Sequence, residues 1–271
     1  MAPFQMVLKV PAIRPGCLLM RLSLNKLKII MTLEICAANI QSAINAEKAG
    51  AHRVELCSEL AVGGITPSFG MIQEVLKKVS IPVFVLIRPL SGNFTYSEDE
   101  FEIIKADILN CKKMGCAGIV SGVLKVDNSI DVIRTKELVE LSKPLPFTFH
   151  RAFDWVPNPT EAIETLIDIG VQRVLTSGQS STADKGIELL TQLNQQANNR
   201  IQILPGGGIS ENNVKLFKDK GFTEIHASAT TLVQETAVPK VAMNSTKFFE
   251  EHKVFESSVE SIRAVLLNLG D

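Results

Sequence analysis

A single (β/α)8 barrel of the TIM type is the fold this sequence predicts, and three observations carry that expectation. Strand-like runs alternate with amphipathic helical segments from Met31 onward, the strand-like runs number eight, and 271 residues suit a barrel of about 250. A doubly wound open sheet would show the same alternation but would not oblige the count to be eight.

Residues 1–30 are read as a leader outside the fold. They carry Lys9, Arg14, Arg21, Lys26 and Lys28 and no acidic residue, while Pro11 and Pro15 interrupt an early helix. Such a stretch is either a mitochondrial transit peptide or an extension ahead of a second start at Met31. The barrel domain is expected over 31–271. Its first strand is Thr32–Cys36, the span Ala37–Ala51 reads as one helix, and Arg53–Cys57 follows as a parallel neighbour. Met71, Ile72, Val75, Leu76 and Val79 form the apolar stripe of a helix before the third strand, Val83–Arg88. Further strands are expected at Gly118–Ser121, Phe147–His150, Arg173–Thr176, Ile201–Leu204 and Glu224–Ala227. Helical stripes recur at Ile187, Leu190, Leu193 and Ala197, and at Val259, Ile262, Leu266 and Leu269. Gly50, Gly115, Gly170 and Gly221 each fall just past a helical stretch, where a left-handed cap is needed. No element is assigned to 229–253.

The composition narrows the function. Net charge is −1 with no dense basic patch, which argues against nucleic acid, and no apolar run approaches the roughly eighteen residues of a membrane span. Five cysteines, an odd number without zinc-ribbon spacing, read as reduced thiols, which suits an intracellular protein.

In a barrel of this kind the active site lies at the carboxyl ends of the strands. Strands one and two end alike, in Glu34-Ile35-Cys36 and Glu55-Leu56-Cys57, and alternation sends each acid and thiol to one face. Buried cysteines often pack as small hydrophobes, but the paired Glu-x-Cys favours a site. Thiolates select soft metals such as copper(I), although two sulfurs alone make a poor zinc site and the two strands are expected to be staggered. Arg88 ends strand three, and His150 and Asp154 follow strand five. With Glu34 and Glu55 they form the catalytic set that an enzyme would use, since clustered titratable groups shift one another's pKa. Arg88 either binds an anion or only neutralises Glu34 or Glu55. Ser177 and Gly178 after strand six, and Gly206, Gly207 and Gly208 after strand seven, are candidate anion-binding positions. The glycines serve equally well for a tight turn, and Ser210 is placed to cap the helix that follows.

From Met31 on, the chain resembles the CutC copper homeostasis family. The resemblance is carried by LEIC from Leu33, AGAHRVELCSELAVGGITPSFG from Ala49, PVFVLIRP from Pro82, PFTFHRAFD from Pro146, RVLTSG from Arg173 and PGGGI from Pro205. It implies a cytoplasmic (β/α)8 barrel able to self-associate as a homo-oligomer, linked to copper handling, with copper(I) held by thiols that match Cys36 and Cys57. The polar groups beyond those thiols leave an alternative open: a barrel lyase, isomerase or hydrolase acting on a small anionic substrate. A scaffolding oligomer is a third reading.

Overall fold

Short apolar runs covered on both faces form the strands of a parallel sheet. In the computed structural model, which describes residues 31–241, 243 and 250–270, eight such runs are β1 (Thr32–Ala37), β2 (Arg53–Leu56), β3 (Val83–Leu86), β4 (Gly118–Ser121), β5 (Phe147–Phe149), β6 (Arg173–Thr176), β7 (Gln202–Pro205) and β8 (Glu224–Ala227). They pair in parallel in the order β7-β6-β5-β4-β3-β2-β1-β8. A parallel bridge between Gly206 and His226 joins β7 to β8 and closes the ring. The expected barrel is thus present, as a single domain. The leader proposed for residues 1–30 lies outside the described residues.

Helices α1 (Ile40–Ala49), α2 (Phe69–Lys78), α3 (Glu98–Met114), α4 (Val132–Ser142), α5 (Pro159–Asp168), α6 (Ile187–Ala197), α7 (Val214–Asp219) and α8 (Val259–Leu269) surround it. Their ends follow local chemistry. Asn39 accepts the Ser42 amide at the start of α1, Ser97 and Glu100 form a reciprocal capping box on α3, and Pro159 opens α5. The first helix therefore begins at Ile40, not at Ala37, which extends β1 instead. Gly50, Gly115, Gly170 and Gly221 all have positive φ, between 82° and 97°, the left-handed conformation their positions require. The span 229–253, left unassigned above, contributes an exposed antiparallel hairpin strand, β9 (Thr230–Glu235), which pairs with β10 (Lys253–Ser257).

Strand alternation divides the buried residues into two sets. Leu33, Ile35, Val54, Leu56, Val83 and Val85 belong to the large apolar layer shared with the helices, while Cys36, Cys57, Phe84, Leu86 and Val120 cluster separately. The second set fills the barrel together with charge. Arg53 is paired to Glu34 and, at 2.6 Å, to Glu224, which also accepts from Arg173 at 2.8 Å. The Phe84 ring lies 4.7 Å from the Arg53 guanidinium carbon and 5.1 Å from that of Arg173. Buried charges persist only when paired, and every charge of this ladder has an opposite charge beside it, with Arg173 Nη1 left without a hydrogen-bond partner.

Candidate metal and ligand site

The mouth of the barrel is assembled by register. Glu34 of β1 stands opposite Arg53 on one side and His226 on the other, and Cys36, one pleat higher, stands opposite Glu55. Cys57 follows β2 and is staggered upward from Cys36, as the barrel geometry requires, yet the two Sγ atoms are 3.7 Å apart. The Cys36 thiol also lies 3.8 Å from Glu55 Oε1. Ligand atoms of Cys36, Glu55 and His226 all fall within 4.8 Å of one another, and all three residues are buried. Two sulfurs each about 2.3 Å from one ion at a near-tetrahedral angle would stand about 3.7 Å apart. Cys36, Glu55 and His226 could share one cation, and Cys57 stands beside Cys36, so the two sulfurs have a spacing that suits a soft ion in a bent arrangement.

Electrostatics separates the two carboxyls. Burial opposes ionisation of Glu34, but Arg53 and His226 outweigh it and hold its pKa at about 2. Glu34 is consequently an acceptor, so His226 Nδ1 donates the 2.7 Å bond between them. Burial pushes Glu55 up to about 7, with the nearby Glu34 charge adding to the effect. Burial disfavours a charged His226, yet Glu55, Cys36 and Glu34 together raise its pKa well above the usual imidazole range. The Cys36 thiol is raised by its contact with Cys57 and by burial, so a bound cation must displace its proton.

Above this floor lies a cavity of about 700 Å³, bordered by Cys36, Glu55, Arg88, His150, Arg151, Asp154, Gly207, Gly208 and His226, with Phe94 and Trp155 among its apolar walls. The size is ordinary for a small-molecule site. Not every expected residue faces it. Glu34 is sequestered by its ion pairs, and Cys57 packs with Phe84, Leu86 and Val120 beneath the surface. Arg88 reaches the cavity wall, but its guanidinium donates to the carbonyls of Val62, Gly64 and Gly92 at 2.8 Å each and lies over the Phe94 ring. Its recorded hydrogen bonds go to backbone carbonyls, not to Glu34 or Glu55.

His150 is buried. Burial first, and the Arg88 charge second, lower its pKa to about 3, so the ring is neutral. Its Nδ1 accepts from the Ala152 amide at 3.3 Å, which leaves the hydrogen on Nε2. Asp154 accepts from the Ser177 amide and hydroxyl, both at 3.0 Å, from the Gln179 amide and from Thr176, while Thr176 Oγ1 takes the Gly178 amide. The donors after β6 are thus satisfied from within the protein. A Cβ on Gly206 would stand 2.6 Å from Leu175 Cδ1, so that glycine serves close packing, while Gly207 and Gly208 turn with positive φ at the cavity edge. Ser210 does not cap a helix: it begins a turn, and α7 starts four residues later at Val214.

Comparison with known proteins gives this geometry a family. The model of the CutC family matches residues 31–231. The chain belongs to the CutC family. A copper homeostasis protein cutC homolog of Mus musculus is 44% identical over 238 residues, covering 86% of this chain and 87% of that protein. The Homo sapiens homolog is 43% identical over the same shares. Among solved structures, the copper homeostasis protein CutC of Streptococcus agalactiae has 36% identity and a TM-score of 0.70, over 73% of this chain and 99% of that one. The thiamine phosphate pyrophosphorylase of Pyrococcus furiosus, at 12% identity and a TM-score of 0.55, shares the barrel fold alone.

Within this CutC barrel, sequence reasoning left two residues out of the site. His226 occupies the end of strand eight, and ring closure brings that strand beside strand one; its signal was its place at the rim. Arg151 follows His150 directly and borders the cavity. Strand alternation alone would turn it away from His150, but β5 ends at Phe149 and a 3-10 turn runs over Arg151–Trp155.

Proposed function

We propose that this CutC-family chain handles copper(I) as cargo, binding it through the thiolates of Cys36 and Cys57, with His226 and Glu55 as adjoining donors. One observation carries the reading: two buried sulfurs 3.7 Å apart at the mouth of the barrel. Thiolates favour copper(I) over hard cations, and a floor shielded from water limits exchange. The names of the relatives above concern copper homeostasis and support the same reading. The four described cysteines are free, in keeping with a reducing compartment and with our placing the protein in the cytoplasm; its self-association as a homo-oligomer is proposed on the family resemblance alone. Cys36→Ser and Cys57→Ser should each lower copper(I) affinity by roughly a hundredfold or more in competition with a chromophoric chelator, in line with losing a principal ligand. His226→Ala should weaken it less. Cys111→Ser in α3 and Cys116→Ser just after it, both in the apolar layer outside the barrel, should leave it unchanged. Equal losses from the second pair of thiols would sink the assignment.

The cavity favours a second reading, an enzyme acting on a small anionic substrate. Glu55, poised near neutrality by burial, has the pKa of a general acid or base. Turnover that survives removal of both thiols and disappears in Glu55→Gln would decide for it.

A further inference from the structure

An anion entering the cavity meets a guanidinium that the protein has already aimed. Arg151 donates from Nε to Asp154 Oδ2 at 2.8 Å and from Nη2 to Ser177 Oγ at 2.9 Å. Asp154 is itself locked by Thr176 and by the amides of Ser177 and Gln179. The Arg151 side chain is 47% exposed, against 7% for the carboxylate that holds it, so the positive end is the one that faces solvent and cavity. Its Nη1 makes no hydrogen bond among the described residues. That atom lies 3.6 Å from where a Cβ on Gly207 would stand, and Gly207 has positive φ. The absence of a side chain there leaves the fork open to a ligand. The same cavity has an apolar wall, with Trp155 packed edge-on to Phe94 at 4.8 Å between ring centroids. Trp155 is 47% exposed although it borders a cavity, a large aromatic surface without cover.

We infer that the mouth cavity binds a small organic acid with an apolar body, its carboxylate or phosphate oxygens taken by Arg151 and its body resting on Trp155 and Phe94. A planar fork fixed on two sides pairs with two oxygens at little ordering cost, which is the advantage of arginine over lysine at such a site. This inference deepens the second reading and rests on it only for the cavity; it requires neither turnover nor copper. It also moves the anion anchor from Arg88, whose recorded bonds go to backbone carbonyls, to Arg151.

The sequence contains one tryptophan, so intrinsic fluorescence of the full chain reports on this wall alone. Cyclohexanecarboxylate and cyclohexyl phosphate, both transparent in the ultraviolet, are the probes, with cyclohexanecarboxamide and inorganic phosphate as comparisons. Either acid should give a saturable change in Trp155 emission below about 10 mM, and the uncharged amide should bind roughly tenfold more weakly or worse. A preference between the two acids identifies the acid group and supports the inference either way. Inorganic phosphate should bind more weakly than cyclohexyl phosphate, because it cannot use the aromatic wall. Arg151→Gln should abolish the acid's advantage over the amide, and Arg151→Lys should retain part of it. Should Arg151→Gln fail to fold, the acid-to-amide ratio of the unaltered protein still decides. Acid binding that persists in Cys36→Ser/Cys57→Ser, whether or not turnover is found, supports the inference. No saturable response to either acid, equal binding of acid and amide, or an undiminished response in Arg151→Gln would overturn it, and the copper reading would stand.

Discussion

Glu34 shows how one residue type serves two unlike purposes in the same short motif. In each Glu-x-Cys run the acid points into the barrel, but only Glu34 has an arginine across the register, and it becomes the counter-ion of both Arg53 and His226. Glu55 faces Cys36 instead and stays poised near neutrality. Glu34→Gln takes the paired carboxylate from His226 and leaves Arg53 only Glu224, and should cost about 3 kcal/mol in urea unfolding, whereas Glu55→Gln, which breaks no ion pair, should cost much less. The same neighbourhood sets the pH dependence. The Glu34 pKa of about 2 lies below its ordinary 4.5, so its contribution is complete above pH 4.5 and is lost as pH falls toward 2. The His150 pKa of about 3 lies below its ordinary 6.5, so the unfolded chain binds the extra proton between those values and stability again falls with acid. His226, raised above 6.5, acts in the opposite sense: its contribution is present below 6.5 and is lost as pH rises through the folded value. Glu55, raised from 4.5 to about 7, acts in the same sense as His226 and offsets His150 between those values. Urea midpoints should therefore climb from about pH 3 to 4.5, level off to about 6.5 and decline on the alkaline side, and His150→Asn should flatten the acid limb. Residues whose role depends on strand-end alternation were legible in the sequence, as Cys36 and Glu55 were. The sequestration of Glu34 was not, because its partners sit on neighbouring strands whose register is set only by the closed ring.

At the scale of elements, periodicity located all eight strands, yet it erred where the chain leaves a strand. β3 stops at Leu86 and β5 at Phe149, earlier than their apolar and aromatic residues implied. Beyond those ends, backbone groups are satisfied by side chains, which no periodicity encodes. Arg88 is the clearest instance. Its main-chain N–H donates to Thr66 Oγ1 at 2.8 Å, its carbonyl accepts from the Thr66 amide at 2.9 Å, and its guanidinium ties Val62 and Gly64 to Gly92. Two loops on either side of the cavity are thereby held by one side chain. Arg88→Met should lose about 2–4 kcal/mol, since several hydrogen bonds to a charged donor go at once. Amide exchange should accelerate over residues 60–66 and 90–96 together and stay slow in the strands. Copper(I) affinity should remain within a few-fold, because no thiol is touched. If exchange rose in only one loop, the joint clamp would be wrong. The hairpin of β9 and β10 escaped the sequence reading for a different reason: its strands are largely exposed, so no buried face imposed a pattern.

For the whole molecule, ring closure makes the first strand a central one. β1 pairs with β2 along one edge and with β8 along the other, and the Thr32 amide already bonds to the Thr223 carbonyl at 2.8 Å. Pairing with β8 begins at Thr32 and pairing with β2 at Glu34, so β1 is held on both sides within its first three residues by strands of the barrel itself. Closure also sets His226 beside Glu34 across 192 positions of sequence, a neighbourhood that neither the count of eight nor inward alternation supplied. It also yields a prediction about residues 1–30, which we propose are a leader and not part of the barrel. A chain beginning at Met31 should melt within a few degrees of the full chain and bind copper(I) with the same affinity. A domain of this size shifts by about 2–4 °C for each kcal/mol, so a fall beyond roughly 8 °C would mean that the leader contributes more than 2 kcal/mol of contacts and belongs to the fold. The five basic residues and the absence of acid in that segment sharpen the comparison. Fused to a reporter, residues 1–30 either carry it into mitochondria, as a transit peptide would, or leave it in the cytoplasm, as an extension ahead of Met31 would. Both outcomes keep the barrel independent of the leader; only a destabilised chain beginning at Met31 argues against it.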